Sequence, residues 1–120
     1  MKFDPDLVQS FFDGADAAMY LSDVEGRYVM VNKLAAEKVN STVEKLIGNT
    51  VFDIIPKEEA DEYITINKKV LESGKPITFK KEITLPSGQR TIAGCKFPAQ
   101  NDNHPNLVGG IAIDITDIDS

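Results

Sequence analysis

Two polar residues interrupt stripes that are otherwise apolar. Asn67 falls among Ala60, Tyr63, Ile64, Val70 and Leu71, which recur every three or four residues. Lys81 breaks the alternation of Ile77, Phe79, Ile83 and Leu85, which share one face of a strand. A buried ammonium without a partner is costly, so Lys81 needs an anion, a carboxylate or water. Asn67 and Lys81 are therefore the residues best suited to contact an anionic or polar metabolite. Ordinary structure offers a second reading of each. Asn67 could lie at the edge of its stripe, and Lys81 could snorkel to water or pair with an acid.

Reactive pairs are sparse. Cys95 and His104 are the one cysteine and the one histidine. Nucleophilic catalysis also needs an orienting group and an oxyanion hole, and no motif supplies either. His104 lies in the polar stretch Asn101-Asp102-Asn103-His104-Pro105, which reads as a solvated turn. Cys95, between Gly94 and Lys96 in a late strand, reads as a small half-buried residue. Glu58 and Glu59 are adjacent and diverge on a helix, where the N-terminal dipole favours them. No metal-ligand spacing occurs. The chain is expected not to be an enzyme, with a small enzyme using Cys95 as the weakest alternative.

Bulk properties narrow the partners. A formal charge of −6 disfavours a nucleic-acid surface and an anionic membrane face. At 120 residues and 42% hydrophobic, the chain fits one domain with its own core. One cysteine cannot form an internal disulfide. Met1 to Asp6 has no apolar signal region, and no run approaches the ~18 apolar residues of a membrane span. A cytoplasmic location is the expectation, with no nucleic acid and no membrane contact by this domain.

The elements that must position these residues follow from caps and periodicity. Asp4 and Pro5 start a short amphipathic helix bearing Leu7, Val8, Phe11 and Phe12, closed by Gly14. Strands over 17–22 and 27–31 flank a turn at Asp23-Val24-Glu25-Gly26. Asn32 can cap a helix over 33–39, and Ser41 with Glu44 reads as a capping box. An apolar turn over 51–55 precedes a long helix over 57–73, closed by Gly74. Strands over 77–85, 89–99 and 107–115 complete the chain. The order predicts an α+β fold with a mostly antiparallel sheet and helices on one face. The last strand leaves its apolar run through Asp114-Ile115-Thr116. That polar exit reads as a connector to something beyond residue 120.

Five segments in this order resemble the Per-Arnt-Sim (PAS) sensor family. Asp23 to Asn32 looks like its D-x-x-G-x-x-x-x-x-N signature. Leu46-Ile47-Gly48 and Phe52-Asp53-Ile54-Ile55-Pro56 match its central helices. Pro86-Ser87-Gly88-Gln89 stands at its usual turn, and Gly109 to Thr116 is similar to its closing G-x-x-x-D-I-T. The resemblance covers residues 15 to 116. It divides the chain into an N-terminal helix (1–14), a sensor core (15–116) and the start of a linker (117–120).

The resemblance implies a five-stranded antiparallel sheet enclosing a pocket under the long helix. Asn32, Phe52, Tyr63, Asn67, Phe79, Lys81, Cys95 and Phe97 are the expected pocket residues. Asp114 and Thr116 are the expected signal-output residues. Leu7, Val8, Phe11 and Phe12 are the expected dimer contacts. No haem is expected, because the long helix holds no histidine, and no flavin adduct, because the central helices hold no cysteine. An unknown small metabolite is the expected ligand. The implied function is a sensory domain of a larger bacterial-type signalling protein, a histidine kinase or diguanylate cyclase. It would bind a ligand non-covalently, act as a homodimer, and be joined to its effector after Ser120. A ligand-free dimerisation module is the alternative.

Overall fold

Asp4 opens the first element because its carboxylate accepts the backbone N–H of Asp6 at 3.0 Å and of Leu7 at 3.4 Å. The structure, a computed structural model, describes residues 4–117. Helix α1 spans Pro5–Gly14. Five strands follow, β1 (Ala18–Asp23), β2 (Tyr28–Val31), β3 (Ile77–Leu85), β4 (Gly88–Pro98) and β5 (Leu107–Asp114). They form one sheet in the order β2-β1-β5-β4-β3, and every neighbouring pair is antiparallel. This is the five-stranded α+β architecture expected from the sequence.

The connection from β2 to β3 joins the two opposite edges of the sheet, so it must cross the sheet's full width. It does so through α2 (Lys33–Lys38), α3 (Val43–Leu46), a 3-10 turn (Val51–Asp53) and α4 (Lys57–Ser73). These elements cover one face of the sheet. The core forms two clusters there. One joins Val51, Ile55, Ala60 and Tyr63 to Ile83, Leu85 and Ile92. The other joins Val31 to Ala36 and Leu46.

The β1–β2 turn depends on Asp23 and Gly26. The Asp23 carboxylate accepts the N–H groups of Glu25 (3.0 Å) and Arg27 (2.9 Å). Gly26 has φ +86°, and a Cβ there would lie 2.8 Å from Val51 Cγ1 and 2.9 Å from Ile64 Cδ1. Only glycine satisfies both the turn and the helix packed on it.

The short helices are capped differently from expectation. Thr42, not Ser41, caps α3, accepting the Lys45 N–H at 3.2 Å. Ser41 instead donates its own N–H to the Ala36 carbonyl at 2.9 Å, which closes α2. The reciprocal acid-to-backbone bond occurs one turn later, where Asp53 accepts the Thr50 N–H at 2.9 Å. Helix α4 ends as expected at Gly74, φ +67°, whose N–H reaches the Val70 carbonyl at 2.9 Å.

Candidate functional site

A cavity of about 210 Å³ lies between the helical layer and the inner face of the sheet. Most of its wall is apolar, including Val31, Ile54, Ile83 and Ala112. Much of its polar lining converges from four elements. Helix α4 supplies Tyr63 and Asn67, β4 supplies Lys96, and β1 and β2 supply Tyr20 and Tyr28.

Lys96 is the chemical centre of this group. It sits on β4, which is flanked by β3 and β5 and covered by α4, and only 3% of it is exposed. Its Nζ donates to Asn67 Oδ1 at 2.8 Å. The ring centroid of Tyr63 is 4.4 Å away and that of Tyr20 is 5.5 Å away, both within cation–π range. Asn67 is itself 1% exposed, and its Nδ2 makes a long 3.5 Å contact with the Val24 carbonyl. Lys96 has no carboxylate partner among the described residues.

The energetics explain the protonation state. An amide acceptor is worth about 1.5–3 kcal/mol to a charged donor, and each desolvated ring adds up to about 2 kcal/mol. Removing an ammonium from water costs several kcal/mol even after relaxation. Desolvation prevails and, with the like charge of Lys81, pushes the Lys96 amine down to about 7. Near neutrality the site therefore holds a mixture of amine and ammonium.

The tyrosines add further donors. Tyr20 and Tyr28 meet edge-on at 5.8 Å. Burial raises the pKa of both, and it pushes Tyr63 up to about 12. All three phenols remain protonated. None of their hydroxyls makes a hydrogen bond among the described residues, and no buried side-chain polar atom lacks a partner, so the hydroxyls border open space. Gly110 makes the arrangement possible, because a Cβ there would lie 2.3 Å from the Tyr20 ring.

The cavity wall also includes Asp114, at the end of β5. Arg90 Nε donates to Asp114 Oδ2 at 2.8 Å, and Lys38 Nζ lies 3.6 Å from the same oxygen. The hydroxyl and N–H of Thr116 reach Asp114 Oδ1 at 2.6 and 3.0 Å. Thr116 Oγ1 in turn accepts the Thr91 N–H at 2.8 Å. Burial works to raise the Asp114 pKa, but the bonds from Arg90 and Thr116 outweigh it and hold the carboxyl well below the usual carboxylate range. Arg27 is not part of this cluster and pairs with Asp23, its close neighbour across the β1–β2 turn, at 3.2 Å.

Of the expected pocket residues, Tyr63 and Asn67 line the cavity. The other six stand elsewhere. Asn32 is fully buried but is spent on structure. Its Oδ1 accepts the N–H groups of Met19 and Ala35, and its Nδ2 donates to the carbonyls of Phe12 and Ala17, all at 2.9–3.0 Å. Phe52 is 42% exposed within the 3-10 turn. Phe79 packs edge-on against Tyr63 at 5.7 Å, over the space that Gly94 leaves. Lys81 pairs with Glu62 across the edge of the sheet, because β3 is the edge strand and its side chain escapes there. Cys95 and Phe97 alternate with Lys96 and so occupy the outer face, where Phe97 covers Gly109. His104 joins a tight turn through Asn101, and no bond links it to Cys95.

Sequence reasoning missed Lys96, Tyr20 and Tyr28. The available signal for Lys96 was strand parity, which sets it with Ile92 on β4. Its flanking same-face residues are Gly94 and Pro98, so no clean apolar stripe made the lysine conspicuous. Among the expected dimer contacts, Leu7 and Val8 are exposed on α1 and Phe12 is half-buried. The side chain of Phe11 and residues 118–120 lie outside the described residues.

Comparison with known proteins places this geometry. A family model described as "PAS fold" matches residues 12–119. The uncharacterized protein y4lL of Sinorhizobium fredii is 26% identical over 98% of this chain, which spans only 14% of that protein. A structure of Vibrio cholera VqmA with ligand and DNA has a TM-score of 0.81 and 19% identity, covering 97% of this chain and 53% of that one. The PAS domain of the Cronobacter turicensis quorum-sensing receptor RpfR, in complex with BDSF, has a TM-score of 0.73 and 19% identity, covering 85% and 96%. At these identities the two solved structures share the fold with this chain. The sheet order, the cavity under the helical layer and a family match over nearly the whole chain lead to one assignment: this chain belongs to the PAS family.

Proposed function

We propose that this chain is the sensory domain of a larger cytoplasmic signalling protein, with a histidine kinase or diguanylate cyclase as the effector. A small molecule held non-covalently in the cavity changes how β5 leaves the sheet. One observation carries this reading: the wall that holds Lys96 and the tyrosines also holds Asp114, the residue that fastens the exit at Thr116. A ligand moves that exit only if it binds two arrangements with different affinity. Its lever is the Asp114 cluster, whose partners Lys38 and Arg90 come from α2 and β4.

An enzymatic role has no support in the geometry, since Cys95 and His104 do not meet. A ligand-free dimerisation module remains the second reading, favoured by the exposed apolar residues Leu7, Val8, Met30 and Ile113. Against it, the cavity is not packed solid: Phe52 is exposed, Phe97 covers Gly109 on the outer face, and Phe79 packs against Tyr63 without entering the lining.

Nuclear magnetic resonance titration with a fragment library separates the two. A cavity ligand is expected to shift the Lys96 and Ala112 amides together with those of Ile115 and Thr116. Ala112→Phe, which fills the cavity, should remove both sets of shifts. Cavity shifts without any response at Ile115 and Thr116 would remove the signalling link. No bound fragment at all would leave the dimerisation module.

A further inference from the structure

The cavity lining holds two lysines, Lys38 and Lys96, and two acids, Asp16 and Asp114. Lys38 is paired with Asp114, whereas Lys96 forms no ion pair among the described residues and stands with several hydroxyl donors. Lys96 spends one bond on Asn67 Oδ1. Tyr20, Tyr28 and Tyr63 spend no hydroxyl bond among the described residues. The rest of the wall is largely apolar, and the space of about 210 Å³ falls below the ~300–1,000 Å³ typical of drug-sized ligands. What fits is a small body with one acceptor-rich end. With Lys38 engaged by Asp114, Lys96 is the one lining lysine without an acid partner, so a dianion such as a phosphate monoester would remain half-compensated in a desolvated site.

We propose that the cavity receives a small monocarboxylate, its carboxylate held by Lys96 Nζ with help from the tyrosine hydroxyls of the lining and its apolar body against the aliphatic wall, and that binding brings one proton onto the Lys96 amine. This rests on the reading of the cavity as a ligand site and adds the class of ligand.

The groups around Lys96 favour this coupling. Helix α4 presents Tyr63 and Asn67, β1 presents Tyr20, and Tyr28 of β2 stands edge-on to Tyr20. From β3 comes Lys81, whose charge is met by Glu62. Strand β5 sets Gly110 opposite Lys96 and contributes nothing ionisable there. The other ionisable lining groups are Asp16, Lys38 and Asp114, and Asp114 is already engaged by Arg90 and Lys38. Neither Asp16 nor any other described carboxylate lies within ion-pair distance of Lys96. Burial leaves the amine substantially unprotonated above neutrality, with a pKa near 7. An arriving carboxylate restores the ammonium by giving it a counter-charge. Protons balance simply: the amine takes one from solvent or buffer, and no bond to the ligand forms.

Calorimetry on the full chain tests this with benzoate and hexanoate, each paired with its neutral amide. The acids are expected to bind with Kd of about 0.1–1 mM, the range for ligands of this size. Their affinity should be flat below about pH 7 and fall about tenfold per unit above it. At about pH 8.5 the heat should vary with buffer ionisation enthalpy as expected for uptake of nearly one proton. The amides should bind at least about tenfold more weakly, with no uptake. Lys96→Met should abolish the preference for the acid while the thermal melt shows a folded protein. Amides binding as well as acids, or acids binding without proton uptake, would overturn the carboxylate assignment. If that binding is then removed by Ala112→Phe, the ligand-site reading survives. If neither acid nor amide binds, both readings fall.

Discussion

Lys96 sets an internal conflict at the scale of a single residue. Its amine is kept near the cavity by Asn67 and two rings, yet its charged form is poorly solvated. The folded pKa of about 7 lies below the unfolded value of about 10.4. Between these values the unfolded chain holds more protons, so stability rises with pH across that window and the cost of the charge is fully present below it. The slope should approach about 1.4 kcal/mol per pH unit, and the whole effect is a few kcal/mol at most. Tyr20, Tyr28 and Tyr63 act in the opposite sense. Their raised folded values mean their contribution is intact below about pH 10 and is lost above it. Urea denaturation at about pH 7, 8 and 9 therefore isolates the lysine. Wild type should grow more stable with pH. Lys96→Met should be more stable than wild type at neutrality and nearly flat. A flat wild-type profile would mean that Lys96 is solvated after all.

The element that carries a signal is the end of β5. Asp114 ties three chain segments together, through Lys38 on α2, Arg90 on β4 and Thr116 beyond the strand. Its folded pKa is depressed, so its contribution is complete above the unfolded carboxyl value of about 3.9 and is lost as pH falls through the folded one. Asp114→Asn keeps the shape and removes the charge. It should flatten the acid limb of the stability profile and speed hydrogen exchange at the Ile115 amide, whose bond to the Thr91 carbonyl the cluster supports. An unchanged acid limb would show that the ion pairs are too well screened to matter. Asn32 does the comparable work at the other end of the fold, where one side chain joins the end of α1, the start of β1 and the cap of α2. The family signature at that position is thus accounted for by hydrogen-bond bookkeeping.

For the whole molecule, the question is what covers its exposed apolar surface. Leu7 is 61% exposed on α1, and Met30 and Ile113 are exposed on the outer face of the sheet. Helix α1 is a single short amphipathic segment, a length that gains most of its stability from packing. A second copy of the chain is the partner we propose, with α1 and the outer sheet face in the interface. Sedimentation should detect a concentration-dependent dimer. Leu7→Glu with Val8→Glu should shift it to monomer by at least about tenfold in Kd, each buried apolar side chain being worth about 1.5–3 kcal/mol. An unchanged dimer would place the interface elsewhere, and a monomeric wild type would remove the dimer.

The sequence by itself determined the elements and their order, because caps, turn residues and periodicity act over a few neighbours. Asp4, Asp23 and Gly74 each acted through bonds within four residues. It also set Asn67 on or at the edge of the α4 stripe, and the structure decided between the two by burying it. It did not determine which lysine lies under that helix. Lys81 stood out in a clean alternation yet occupies an edge strand, where its long side chain reaches Glu62 and water. Lys96 was inconspicuous between Gly94 and Pro98 yet occupies a strand flanked on both sides, where its side chain is buried against the cavity. Side-chain parity follows from local backbone geometry and can be read along a strand. Position within the sheet follows from long-range pairing, and only the tertiary structure decided which buried amine the cavity would contain.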